Sequence, residues 1–153
     1  MCDAVTMSSG VRFLASACLL TVVATPAGSR APISCPAGPF IAYFDHGSTK
    51  LTTDGRAVLD NAIGQFGFCS EPQAVIVGHT DTSEPGDLSK RRAGAVRAYM
   101  IAHRVPRRDL FIRWKGSDRL LVPTPPKTAE AKNRRAEVNY VYDVPAFDAW
   151  LSK

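Results

Sequence analysis

Phe40, Ala42 and Phe44 alternate with Ile41, Tyr43 and Asp45, the period of two expected of a strand. His46-Gly47-Ser48 breaks that pattern. Thr52-Thr53-Asp54 then supplies capping hydroxyls and a first-turn acid, and Leu59, Ala62, Ile63 and Phe66 fall on one helical stripe. Gly67 closes this predicted helix. Ala74-Val75-Ile76-Val77 is a continuous, β-branched apolar run, the signature of a strand buried on both faces. Gly78-His79-Thr80-Asp81 and the loop Thr82-Ser83-Glu84-Pro85-Gly86-Asp87 follow. A second helix is predicted from about Leu88 to His103, with Ala93, Val96 and Met100 inward, Lys90, Arg91 and Arg97 outward, and Pro106 as its stop. Leu110, Ile112 and Trp114 alternate with Phe111, Arg113 and Lys115 in a third strand. After an irregular Val122-Pro123-Thr124-Pro125-Pro126 segment, Ala136, Val138, Tyr140 and Tyr142 alternate with Glu137, Asn139 and Val141 in a fourth. The stretch from Pro145 to Lys153 has room for one or two helical turns. Strand, helix, strand, helix, strand, loop, strand is the order of a two-layer α/β domain, a βαβαββ sandwich in which helices pack on a mixed four-stranded sheet.

The chain has 153 residues, the length of one domain. Arg12 precedes the apolar run Phe13 to Ala24, which fits a secretory signal and is too short to span a bilayer. Residues 1–27 are therefore expected to be a cleaved signal peptide, 28–38 a linker, 39–143 the domain and 144–153 a C-terminal tail, with no transmembrane segment in the mature chain. Two other readings of the run stand beside this one: a buried core helix, or a signal that ends in lipidation of Cys18. Export places Cys35 and Cys69 in an oxidising compartment. A bridge between them would close a loop of about 35 residues and stabilise by roughly 3–4 kcal/mol; the alternative is two buried thiols. Neither cysteine has metal-ligand spacing around it. The net charge of +5 hints weakly at an acidic partner, but the basic residues are dispersed. No zinc-finger or RNA-recognition signature accompanies them, so nucleic acid is not the expected partner.

Four segments, Tyr43-Phe44-Asp45, Val77-Gly78-His79-Thr80-Asp81, Leu88-Ser89-Lys90-Arg91-Arg92-Ala93 and Asn133-Arg134-Arg135-Ala136-Glu137, occur in one order over residues 39 to 142. Together they resemble the C-terminal domain of the OmpA family, which includes peptidoglycan-associated lipoproteins and flagellar stator proteins. The resemblance implies a non-catalytic domain, without cofactor or metal, that binds the diaminopimelate of the peptidoglycan stem peptide in the periplasm, associated with the outer membrane. It implies that Asp81 meets the ligand ammonium, Arg92 the ligand carboxylate, and Arg134 a further wall of the pocket. Thr82 and Ser83 stand where the family uses loop hydroxyls and backbone groups, and Gly47 where some members place a polar contact. A zwitterionic amino-acid head group suits such a pair, because a guanidinium holds a carboxylate through two parallel bonds and lysine does not.

The chain departs from the family in one place. Only eleven positions separate Asp81 from Arg92, several fewer than usual, and Pro85-Gly86-Asp87 stands where an asparagine ligand is common. Asp87 is the candidate substitute. A shortened loop also favours a second class of function, a periplasmic adaptor that keeps the fold, binds an envelope protein and has weak or lost wall contact. A third class, a hydrolase with His46 and His79 beside Asp45 or Asp81 as metal ligands, lacks supporting spacing. Ser89 reads as a helix cap, and His79 as a strand-end residue whose ring braces the following loop.

Overall fold

The computed structural model describes residues 38–69 and 72–153. The expected signal peptide, nearly all of the linker, Cys18 and Cys35 lie outside the described residues. The elements are β1 (Phe40–Tyr43), α1 (Thr53–Phe66), β2 (Gln73–His79), α2 (Asp87–Ala102), β3 (Leu110–Gly116), β4 (Arg135–Val141) and α3 (Val144–Leu151). Short 3₁₀ turns at Arg107–Asp109 and Ala131–Asn133 lead into β3 and β4. The expected α+β architecture is present, extended at its end to βαβαββα. Among the described residues no helix is long and apolar enough to cross a membrane.

The four strands form one mixed sheet in the order β1-β4-β2-β3. β2 is parallel to β3, while β4 runs antiparallel to both β2 and β1. β2 is interior, which explains its unbroken apolar run: Ala74 to Val77 are all buried. Ala74 and Ile76 face α1 and α2, joined by Leu59, Ala62, Ala93, Val96, Met100, Leu110, Ala136 and Val138 in the main core. Val75 and Val77 face the other way and meet Val144 and Leu151 of α3, with Phe111, Val141 and Phe147 around them. The C-terminal residues thus cover the second face of the sheet. A bidentate Arg113–Asp148 pair fastens α3 to β3.

Local sequence sets the helix ends. Thr52 caps α1 by accepting from Gly55 N at 3.0 Å, and Asp143 caps α3 by accepting from Ala146 N at 2.9 Å. α2 has Gly86 as N-cap and no side-chain cap. Ser89 therefore does not cap it; the Ser89 hydroxyl donates back to the Gly86 carbonyl.

The register brings one set of chain segments together. Gly78 of β2 faces Ala136 of β4, and Tyr43 of β1 faces Arg135. The exits of β1 and β2 and the entry to β4 therefore lie at one end of the sheet, where α2 begins. Asp45, Asp81, Arg92 and Arg134 reach that end from four different parts of the chain.

Candidate functional site

α2 can deliver Arg92 to this end because it lies unusually close to β2. A Cβ on Gly78 would stand 1.9 Å from the Ser89 carbonyl oxygen, so only glycine permits the contact. Leu88, Ser89, Arg92, Ala93, Val96 and Met100 form the buried face of the helix. Arg92 stands on its second turn, since α2 starts at Asp87.

The Arg92 side chain is completely buried, and all five of its N–H groups have acceptors. Nε donates to the Ser48 carbonyl at 3.0 Å. Nη1 donates to the His79 carbonyl at 3.0 Å and to Glu84 Oε2 at 2.6 Å. Nη2 donates to the Asp45 carbonyl at 3.2 Å and to Glu84 Oε1 at 2.7 Å. The guanidinium lies 5.3 Å from the centre of the Phe44 ring. This is a fork-to-fork pair in which both side chains are 0% exposed.

Glu84 was not among the residues singled out from the sequence, yet it is the hub of the site. Its Oε1 also accepts from Gly47 N at 2.8 Å, and its Oε2 from Asp81 N at 3.4 Å. Gly47 has a φ of +66°, a conformation that suits glycine, and this turn aims its N–H at the carboxylate. Asp87, the expected substitute, points elsewhere: it is 69% exposed and pairs with Arg91 at 3.1 Å along the helix surface.

Asp81 is likewise buried at 0%. Its Oδ1 accepts from the Ser83 N–H at 2.9 Å and the Ser83 hydroxyl at 2.7 Å. Its Oδ2 accepts from Glu130 N at 3.2 Å and Arg134 Nη1 at 3.0 Å. Arg134 also donates to the Phe44 carbonyl and remains 14% exposed. Burial alone would raise the Asp81 pKa, but the hydrogen bonds from Ser83, Arg134 and Glu130 outweigh it and hold the group below its ordinary value. Glu84 shows the same balance: burial raises, the bonds from Arg92 and Gly47 lower, and the net shift is downward.

Thr82 serves a different purpose. Its hydroxyl donates to Pro125 O at 2.6 Å and accepts from Thr128 N at 3.0 Å, tying the loop to the Pro-rich segment. Asn133, fully buried, holds the other end of that segment: Oδ1 accepts from Leu121 N and Val122 N, and Nδ2 donates to Val122 O. These clamps fix the approach of Arg134 to Asp81. Arg135 turns away from Arg134, to Glu137 at 2.7 Å. His79 contributes its carbonyl to the site, while its ring lies under the α3 side, 3.7 Å from Glu137. The ring therefore does not brace the loop. Burial, then Arg135, Arg119 and Lys115, lower its pKa to about 3.

His46, 59% exposed, stands 4.0 Å from Asp81 and 3.7 Å from Glu84. The three offer ligand atoms within 4.8 Å of one another. Arg92 and Arg134 already pair with the two carboxylates, so a metal ion would have to displace a guanidinium to coordinate either of them. An open cleft of about 510 Å³ lies next to the cluster, lined among others by Tyr43, Asp45, Asp54, Lys132 and Arg134.

Comparison with known proteins agrees with this geometry. The sequence model of the OmpA family matches residues 43–134. The chain belongs to the OmpA family. OmpA-family domains are non-catalytic binding domains, typically of peptidoglycan. An outer membrane protein of Gluconacetobacter diazotrophicus is 33% identical over 113 residues, 67% of this chain and 30% of that protein. Outer membrane protein A of Bordetella avium is 27% identical over 103 residues, 65% of this chain and 53% of that protein. The chain thus spans about a third to a half of these relatives' length. The peptidoglycan-associated lipoprotein of Burkholderia pseudomallei superposes with a TM-score of 0.60 at 23% identity, covering 66% of this chain and 89% of the other. The C-terminal domain of Helicobacter pylori MotB gives 0.61 at 18% identity, covering 76% and 95%. At these identities the two structures speak for the fold.

Proposed function

We propose that this domain binds peptidoglycan non-covalently through the diaminopimelate of the stem peptide, in the periplasm and close to the outer membrane. Asp81 receives the ligand ammonium, Arg92 the carboxylate, and Arg134 closes one side. Ser83 holds Asp81, Gly47 donates to the bound carboxylate, and Thr82 keeps the loop in place. A cleaved signal at residues 1–27 and a Cys35–Cys69 bridge belong to the same reading.

The observation that carries it is the position of the Glu84 carboxylate. Its oxygens take two bonds from Arg92, one from Gly47 N and one from the backbone of Asp81. A planar carboxylate next to Asp81 is the arrangement an amino-acid head group would need. A second reading, an adaptor for an envelope protein, is favoured by the same saturation, because every N–H of Arg92 and all four oxygens of Asp81 and Glu84 are bonded without a ligand.

Co-sedimentation with diaminopimelate-type sacculi separates the two. Wild-type protein and Glu84→Gln are expected in the pellet at low salt. Asp81→Asn, which keeps the shape and removes the charge, is expected to raise the apparent Kd about tenfold, the worth of one charge-assisted contact. If neither wild type nor Glu84→Gln sediments, while both melt cooperatively, the adaptor reading replaces wall binding.

A further inference from the structure

Three separate elements converge on the Glu84 carboxylate: the turn after β1 through Gly47 N, the exit of β2 through Asp81 N, and α2 through Arg92. Four N–H groups aimed at two oxygens make a built carboxylate seat. Glu84 sits in a loop three residues beyond Asp81, followed by Pro85, which has no N–H, and by Gly86, around which a Cβ would meet nothing within 4 Å. The bond from Glu84 N to Asp81 O is long, at 3.5 Å, whereas Pro85 O and Gly86 O accept from Leu88 N at 3.1 Å and Ser89 N at 3.2 Å in the first turn of α2. Glu84 itself is thus held mainly through its side chain.

We propose that Glu84 is an intramolecular stand-in for a ligand carboxylate: it fills the seat on Arg92, and an external carboxylate enters when the Glu84 side chain swings out. Glu84 then determines specificity. A ligand that brings only an ammonium leaves Glu84 on Arg92 and gains nothing from the seat. Glu84 weakens ligands that bring a carboxylate, because they must displace it. The short loop gives the reason for the arrangement, since only a tight connection carries an acid from beside Asp81 directly onto Arg92. The identity of the external ligand rests on the wall-binding reading; the seat itself does not.

Two measurements test the two parts. Thermal melts of Glu84→Ala and Glu84→Gln in sodium formate, against sodium chloride at equal ionic strength, probe the seat. Formate is expected to raise the Tm of Glu84→Ala with saturation, as ligand linkage requires. A smaller rise is expected for Glu84→Gln, whose amide oxygen keeps one bond, and none for wild type. Equal Tm values in formate and chloride for both variants overturn the seat. Titration with a soluble diaminopimelate-containing muropeptide probes the competition: Glu84→Gln is expected to bind at least about tenfold more tightly than wild type. Glu84→Gln binding no tighter overturns the competition. If both bind equally, the wall reading survives that result. If neither binds while formate still rescues Glu84→Ala, the seat stands and the wall reading falls.

Discussion

A single hydrogen atom decides how the site is assembled. Gly78 lets the Ser89 carbonyl lie where any side chain would begin. Gly78→Ala must push α2 away from β2, and with it Arg92 from the His79 carbonyl. Overpacking of this kind costs about 3 kcal/mol, which urea unfolding of the variant would measure; a stability equal to wild type would contradict the close contact. Asp81, Arg92 and Arg134 stand out in the sequence because each sits in a short motif with fixed neighbours, whereas the close approach at Gly78 does not. Glu84 does not stand out either. It lies in a loop, where no periodicity marks a residue as inward, and its burial comes from a turn geometry that residue types alone do not specify. Asp87 drew attention by its place at the helix start, but the first turn of α2 points it to solvent beside Arg91. The same limit applies to Asn133, whose motif was visible while its three bonds to the Pro-rich segment were not.

At the level of elements, hydrophobic period carried most of the information. The stripe of α1, the two-faced burial of β2 and the inward face of α2 follow from it directly. The last strand is shorter than the alternation suggests: β4 ends at Val141, and Tyr142 is exposed. The role of α3 was hidden for a physical reason. Val144, Phe147 and Leu151 do recur at helical spacing, but an eight-residue helix has little stability of its own, so its existence depends on a partner surface. That surface is the second face of β2, whose Val75 and Val77 called for a cover that the sequence did not name. Leu151→Ala removes the last anchor of this helix from a nearly closed site. A loss of about 2–3 kcal/mol is expected in chemical denaturation, with faster amide exchange across residues 144–151. Unchanged exchange there would show that α3 does not depend on the sheet face.

For the whole molecule, the buried ionisable groups make stability depend on pH in two stages. His79 has its folded pKa lowered to about 3, by burial first and then by neighbouring cations. The unfolded chain therefore takes up a proton near an ordinary histidine value, about 6.5, while the folded chain does not. Stability from this group is complete above that value and drains as pH falls from about 6.5 towards 3, by up to about 1.4 kcal/mol per pH unit. Asp81 and Glu84 act lower on the scale. Their folded pKa values are depressed by Ser83, Arg134, Arg92 and Gly47 against the opposing effect of burial. Their contribution is complete above the ordinary carboxylate range, near 4, and is lost as pH drops through their lowered folded values. Because a domain of this size has only about 5–15 kcal/mol to lose, acid should unfold it in a melt series from pH 7 to pH 2, with a shallow fall first and a steeper one below about pH 4. His79→Asn is expected to flatten the first stage and leave the second. Glu84→Gln is expected to start lower and to flatten only the second. A wild-type Tm that stays constant from pH 7 to pH 4.5 would show that the His79 ring is not held neutral. A Glu84→Gln curve parallel to wild type below pH 4 would show that the carboxylate on Arg92 does not titrate with unfolding.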